Sequence, residues 1–171
     1  TGVQTCALPI SGGTGSLTVS VLAPVIDAAT GHAYLVVPKQ LDWYTARDAA
    51  SALVFQGQAG HLVTIGDQAE RDFLVSSLTF DRAWIGLEQD TSSSIYSEPA
   101  GGWGWVTGEI FSFTSWRAGE PNDSPAGENH AEMFADGTWN DAEFFSGVVG
   151  AYIVELDRKS TRLNSSHTVI S

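Results

Sequence analysis

The chain has 171 residues, 43% of them hydrophobic, with six tryptophans, a size and composition that suit one folded domain and exclude a disordered chain. Its formal net charge of -12 excludes nucleic acid and anionic membrane surfaces as electrostatic partners and favours cations. No apolar run approaches the roughly 20 residues of a membrane span, so no membrane insertion is expected.

The two ends differ from the middle. "TGVQTCALPIS" (1–11) and "RKSTRLNSSHTVIS" (158–171) show no helical period and no long alternation, and they resemble translated sequencing-adapter readthrough. Residues 1–15 and 158–171 are therefore set apart as non-native tails. With them go Cys6, the single cysteine, and the sequon at Asn164-Ser165-Ser166. Residues 16–31 form a lead-in. Within it "SLTVSVLAPV" (16–25) is too short, and lacks the basic flank, for an intact signal peptide; it suits the frayed end of one or an edge strand.

From residue 32 the signals become regular. "AYLVV" (33–37) predicts a strand after the turn-like "ATGH". "LDWYTARDAASAL" (41–53) predicts a helix, with Asp42 at its start and Trp43, Ala46, Ala50 and Leu53 on one face. "GDQAERDFLVSSL" (66–78) predicts a second helix, opened by the capping pair Asp67 and Glu70 and buried through Phe73, Leu74 and Leu78. Beyond residue 80, "AWIGL" (83–87), "WGWV" (103–106), "AEMF" (131–134) and "GAYIVEL" (150–156) predict short strands. Two helices followed by a half of strands and loops give an α+β domain. Between Trp116 and Thr138 regular signal is sparse, and a loop of that length in a compact domain is usually functional or disordered.

That stretch is rich in oxygen donors. From Glu120 to Glu143 there are seven acids and no lysine or arginine. "GEPND" (119–123) sets Glu120 and Asn122 about Pro121, across a bond that can be cis. "WND" (139–141) adds Asn140 and Asp141, and Glu128 lies between. Calcium takes six to eight oxygens from carboxylates, amide carbonyls, backbone and water, so this donor set suits it. The competing reading is a solvated acidic face.

The ordered set resembles a C-type lectin-like domain in its calcium-dependent carbohydrate-recognition form, over about His32 to Asp157. Its carriers are the Trp43 helix, "GHLVTI" (60–65), the second helix, "WIGL" (84–87), "WGWVTGE" (103–109), "SWRAGEPND" (115–123), "GENHAEM" (127–133), "GTWND" (137–141) and "AYIVE" (151–155). The resemblance implies that Glu120, Asn122, Glu128, Asn140 and Asp141 hold one calcium ion. It implies further that Glu120, Asn122, Glu128 and Asn140 meet two neighbouring hydroxyls of a sugar. EPN rather than QPD implies vicinal equatorial hydroxyls, as in mannose, glucose, N-acetylglucosamine or fucose. An extracellular or cell-surface setting is implied, and weak single-site contacts imply a multimer or a larger parent protein for avidity.

The chain also departs from the family's pattern. Its four usual cysteines are absent, as in bacterial-like versions, and His130 stands where one is expected. Calcium would then matter more for loop order. A second calcium site is matched only in part, by Asp90, Asp123, Glu128 and Asn129. Trp84, Trp103, Trp105 and Trp116 are expected in the core, with Trp139 buttressing the loop. His32 and His61 are expected as turn or core residues and His130 as turned away from the ligands; no histidine spacing suggests zinc. Three functions stay open: a sugar-binding module, a protein-interaction or adhesion module whose calcium only orders the loop, and a glycosidase with Glu120 and Glu128 as its acid/base pair. The last is disfavoured because five clustered donors suit a cation, so no enzyme is expected.

Overall fold

The computed structural model describes residues 23–124 and 127–157. The expectations for residues 1–22 and 158–171, including Cys6 and the sequon, lie outside them.

Two helices and nine strands follow in the order β1 Val25–Ile26, β2 Ala33–Val37, α1 Trp43–Ala52, β3 Val54–Phe55, β4 Gln58–Leu62, α2 Gln68–Ser77, β5 Arg82–Gln89, β6 Trp103–Trp105, β7 His130–Phe134, β8 Trp139–Ala142 and β9 Ala151–Leu156. Both helix starts form as the sequence predicts. The Asp42 carboxylate accepts from the Thr45 amide, and that of Asp67 from the Glu70 amide. Glu70 reaches back to the amide of Gly66, one residue before the cap, rather than to Asp67 itself.

The main sheet runs β1-β2-β9-β5-β7-β8, with β6 on β5 and β4 on β9. β5 and β9 pair in parallel through Ala83↔Ala151 and Trp84↔Tyr152; the other pairings are antiparallel. Core lies on both faces of this sheet. Ala83, Ile85 and Leu87 join one cluster with Leu74 of α2, while Trp84 joins a second with Trp43, Ala46 and Ala50 of α1. Tyr152 and Val154 alternate with Ala151 and Ile153 in the same way. Strands covered on both sides read as continuous apolar runs, which is why "AWIGL" and "AYIVEL" stand out in the sequence. The indole N–H of Trp43 donates to the carbonyl of Ile85, and that of Trp84 to Leu41, both at 2.9 Å, tying α1 to β5.

The irregular region is shorter at its end than the sequence suggests. It runs from the end of β6 to the start of β7, and "WND" lies on β8 rather than in a loop. The hairpin β7–β8 sets Glu132 opposite Asn140 and Ala131 opposite Asp141.

Candidate metal centre

Trp139 fixes where the long loop returns to the sheet. Its side chain is fully buried, with the rings of Trp105, Phe113 and Trp116 standing edge-on at 5.7, 5.8 and 5.7 Å. Its backbone accepts from the Arg117 amide at 2.9 Å and donates to the Ser115 carbonyl at 2.8 Å. The expected buttress is therefore in place, and it delivers Asn140 and Asp141 beside the loop. Trp84, Trp103 and Trp105 are buried and Trp116 is half-buried against Trp103 at 5.0 Å, as the sequence leads one to expect.

Asp141 is 1% exposed. Its carboxylate accepts from the amide of Asn122 at 2.9 Å and of Asp123 at 2.7 Å, pinning the "EPND" turn onto β8. The Glu120–Pro121 bond in that turn is cis. Glu120 is half-buried beside Asp141, and its Oε2 is buried without a hydrogen-bond partner. Burial first, then the Asp141 charge, raise its pKa above the usual carboxylate range, with Arg117 opposing. Glu128 accepts from the Ser124 amide at 2.9 Å. Burial, with the charges of Asp141, Glu120 and Asp123, pushes its pKa up to about 7. Three carboxyls from three segments thus share one negative field.

Asn140 is turned toward a neighbour that sequence reasoning missed. Its Nδ2 donates to Glu132 Oε1 at 3.1 Å, and Arg82 Nη1 donates to the same oxygen at 3.2 Å. Glu132 is 1% exposed, and its other oxygen has no partner. A cavity of about 380 Å³ joins Glu128, Glu132 and Asn140 to Arg82, Phe145 and Val148. The signal for Glu132 was available: the turn between "AEMF" and "WND" sets residues 132 and 140 across from each other once both are strands. Asn122 is exposed at the rim.

The donors differ in how closely they gather. Among the described residues, the one set of three histidine or acidic ligand atoms lying within 4.8 Å of one another belongs to His32, Glu155 and Asp157. Glu120, Glu128 and Asp141 are not gathered that closely, and Asp141 faces the amides of the turn. The residues named for a second calcium ion are bonded locally. Asp90 accepts from the amide and hydroxyl of Ser92, and Asp123 from the amides of Gly127 and Glu128. Asn129 carries a buried Oδ1 without a partner. His130 packs elsewhere, its ring tilted against Trp43 at 4.6 Å and edge-on to Tyr44 at 4.9 Å. The donor set is all oxygen, and one of its buried oxygens, Glu120 Oε2, lacks a partner; both facts fit a hard cation.

Comparison with known proteins agrees with this architecture. The profile of the Lectin C-type domain matches residues 43–144. The mouse low affinity immunoglobulin epsilon Fc receptor is 35% identical over 113 residues, covering 66% of this chain and 30% of that protein. Halomucin of Haloquadratum walsbyi is 33% identical over 147 residues, covering 77% of this chain and 2% of that protein. The chain thus spans a minor part of either relative. The crystal structure of the cow C-type carbohydrate-recognition domain of CD23, in the presence of a GlcNAc2Man3 oligosaccharide, superposes with a TM-score of 0.61 at 28% identity, covering 75% of this chain and 89% of that one. With two capped helices on a mixed sheet and the loop pinned to β8, the chain belongs to the C-type lectin domain family.

Proposed function

We propose that this domain is a calcium-dependent module for mannose-type glycans, working in an extracellular or cell-surface setting. Glu120, Asn122, Glu128, Asn140 and Asp141 would hold the ion. A bound calcium ion supplies coordination positions that two neighbouring sugar hydroxyls can take in place of water. Asp141 ties the turn that bears Glu120 and Asn122 to β8. With its Nδ2 donated to Glu132, Asn140 has its amide oxygen as the end available to a ligand. Glu120 and Glu128 supply carboxylate acceptors for sugar hydroxyls, and charged acceptors make the stronger hydrogen bonds.

The observation that carries this reading is the buried Glu120 Oε2, left without a hydrogen-bond partner beside the buried carboxylate of Asp141. Calorimetric titration with calcium, then with mannose, tests it. Calcium should bind, mannose should bind only after calcium, and galactose should not compete. Asn122→Asp and Asn140→Ala should weaken calcium binding with the fold kept. Mannose binding that persists in chelator, or its absence from a folded, calcium-loaded protein, would refute the proposal.

A second reading has its own support. Phe145 and Val148 are 60% and 62% exposed and line the cavity, and the mouse relative is by its name a receptor for immunoglobulin epsilon Fc. On that reading a protein docks on these apolar side chains and calcium only orders the loop. Calcium would then raise the melting temperature with no further rise on adding sugar.

A further inference from the structure

A second cluster of ligand-type side chains lies where β2, β4 and β9 meet. His61 on β4 is opposite Glu155 on β9, and Ala33 opposite Leu156 brings His32 alongside Asp157. Side chains alternate along a strand, so Glu155 and Asp157 share a face. The strand order β9-β5-β7-β8 sets two strands between this cluster and the candidate sugar site.

The atoms are close and poorly satisfied. His32 Nδ1 is 2.7 Å from Glu155 Oε1 and 3.9 Å from Asp157 Oδ1; His61 Nε2 is 3.4 Å from Asp157 Oδ2. His32 Nδ1 is nonetheless buried without an aligned hydrogen bond. His61 Nδ1 lies 2.9 Å from the Leu62 carbonyl oxygen. A carbonyl only accepts, so Nδ1 must carry a hydrogen. Nε2 then faces the Asp157 carboxylate. Glu155 is 2% exposed, and its Oε2 accepts from the amide and hydroxyl of Thr64. Imidazoles bonded to backbone carbonyls and carboxylates fixed by outer partners are the supports that metal ligands use.

We propose that His32, Glu155 and Asp157 bind a divalent transition metal of the zinc class, with His61 supporting Asp157 from outside the ligand set. Tetrahedral zinc with bonds of about 2.0–2.1 Å separates its ligand atoms by about 3.3 Å, and the His32 distances to Glu155 and Asp157, 2.7 and 3.9 Å, bracket that value. An imidazole nitrogen disfavours calcium, which takes oxygen ligands, and suits zinc or its neighbours. His32 and Asp157 are 36% and 53% exposed, so an ion has an entry path. It passes a cavity of about 680 Å³ walled in part by His32, Asp27, Asp67 and Glu70. The bound metal joins the approach to β2 with the exit of β9, a clasp between two segments far apart in sequence.

The probe is cobalt(II), titrated into the metal-stripped full chain and followed by its visible absorption, with zinc as competitor. Cys6→Ser and His167→Ala form the background, so that neither tail residue supplies a ligand. One equivalent should bind with a tetrahedral-type spectrum, and zinc should displace it. His32→Ala and His61→Ala should each weaken binding by about tenfold or more, whereas His130→Phe should leave it unchanged. Circular dichroism checks that the variants fold. If His61→Ala fails to fold, Asp157→Asn, at a half-exposed side chain, makes the same test. No saturable spectrum, or a spectrum indifferent to His32, His61 and Asp157, overturns the proposal.

Discussion

Replacing His130 with phenylalanine should remove an acid-sensitive weakness at the foot of the long loop. The His130 side chain is 4% exposed, and its Nδ1 is buried without a partner. It rests on Trp43 and Tyr44, over which the Arg47 guanidinium also sits at 5.7 and 5.4 Å. Burial first, then the Arg47 charge, pull its pKa from 6.5 down to about 4. Between those values the unfolded chain binds more protons than the folded one. The contribution to stability is therefore fully present above about pH 6.5 and is lost as pH falls toward about 4. The gap corresponds to on the order of 3 kcal/mol. Urea denaturation of both proteins in chelator, from about pH 7.5 to about pH 4, reads it directly. The native protein should lose on the order of 3 kcal/mol relative to His130→Phe across that range. Any constant offset from repacking the ring cancels in this comparison. A difference between the two proteins that stays flat with pH would show that His130 titrates normally and that the reasoning is wrong.

Two further outcomes follow from close contacts. In Gly86→Ala the new Cβ would lie 2.6 Å from the Leu62 carbonyl oxygen and 2.9 Å from Val106 Cγ2, so the urea midpoint should fall by the equivalent of about 1–3 kcal/mol; an unchanged midpoint would show that β4 and β5 can part freely. Asp141→Asn keeps the shape but sets an amide donor against the donors of Asn122 and Asp123, which should cost about 1–3 kcal/mol in chelator and abolish the calcium-induced rise in melting temperature.

The legible parts of the fold are those that local chemistry decides. Asp42 and Asp67 mark both helix starts because a carboxylate at that position satisfies an amide the helix leaves open. β5, over Ala83 to Leu87, and β9 announce themselves through unbroken burial. β4 does not, because "QAGHL" has little strand character; it is a strand because β9 offers it an edge at Gly60↔Leu156 through Leu62↔Val154. β8 was hidden by its own chemistry, since the residues that read as ligands are also the ones that pair with β7. At the candidate sugar site, the charge pattern located Glu120, Glu128 and Asp141, which share one field in the structure. Arg82 and Glu132 meet from 50 positions apart, and His61 and Asp157 from 96; no local spacing encodes such pairs.

The loop's order rests on a division of labour among like charges. The family's usual disulfide cysteines are absent from this chain. Aromatic contact stands in their place: His130 packs on Trp43 and Tyr44, and Tyr44 continues to Phe144 at 6.1 Å. Within the loop, acids hold backbone amides instead of cations. Asp141 grips Asn122 and Asp123, Asp123 closes onto Gly127 and Glu128, and Glu128 takes Ser124. Each such bond is charge-assisted and offsets part of the repulsion between its neighbours. The offset is uneven. Asp141 is paired on the backbone, whereas Glu120 keeps an oxygen without a partner and Glu128 is pushed up to about 7. Asp141 therefore acts first as the anchor that shapes the turn. Glu120 and Glu128 are the groups whose charge the protein alone leaves poorly compensated, and it is toward them that a divalent cation gains most.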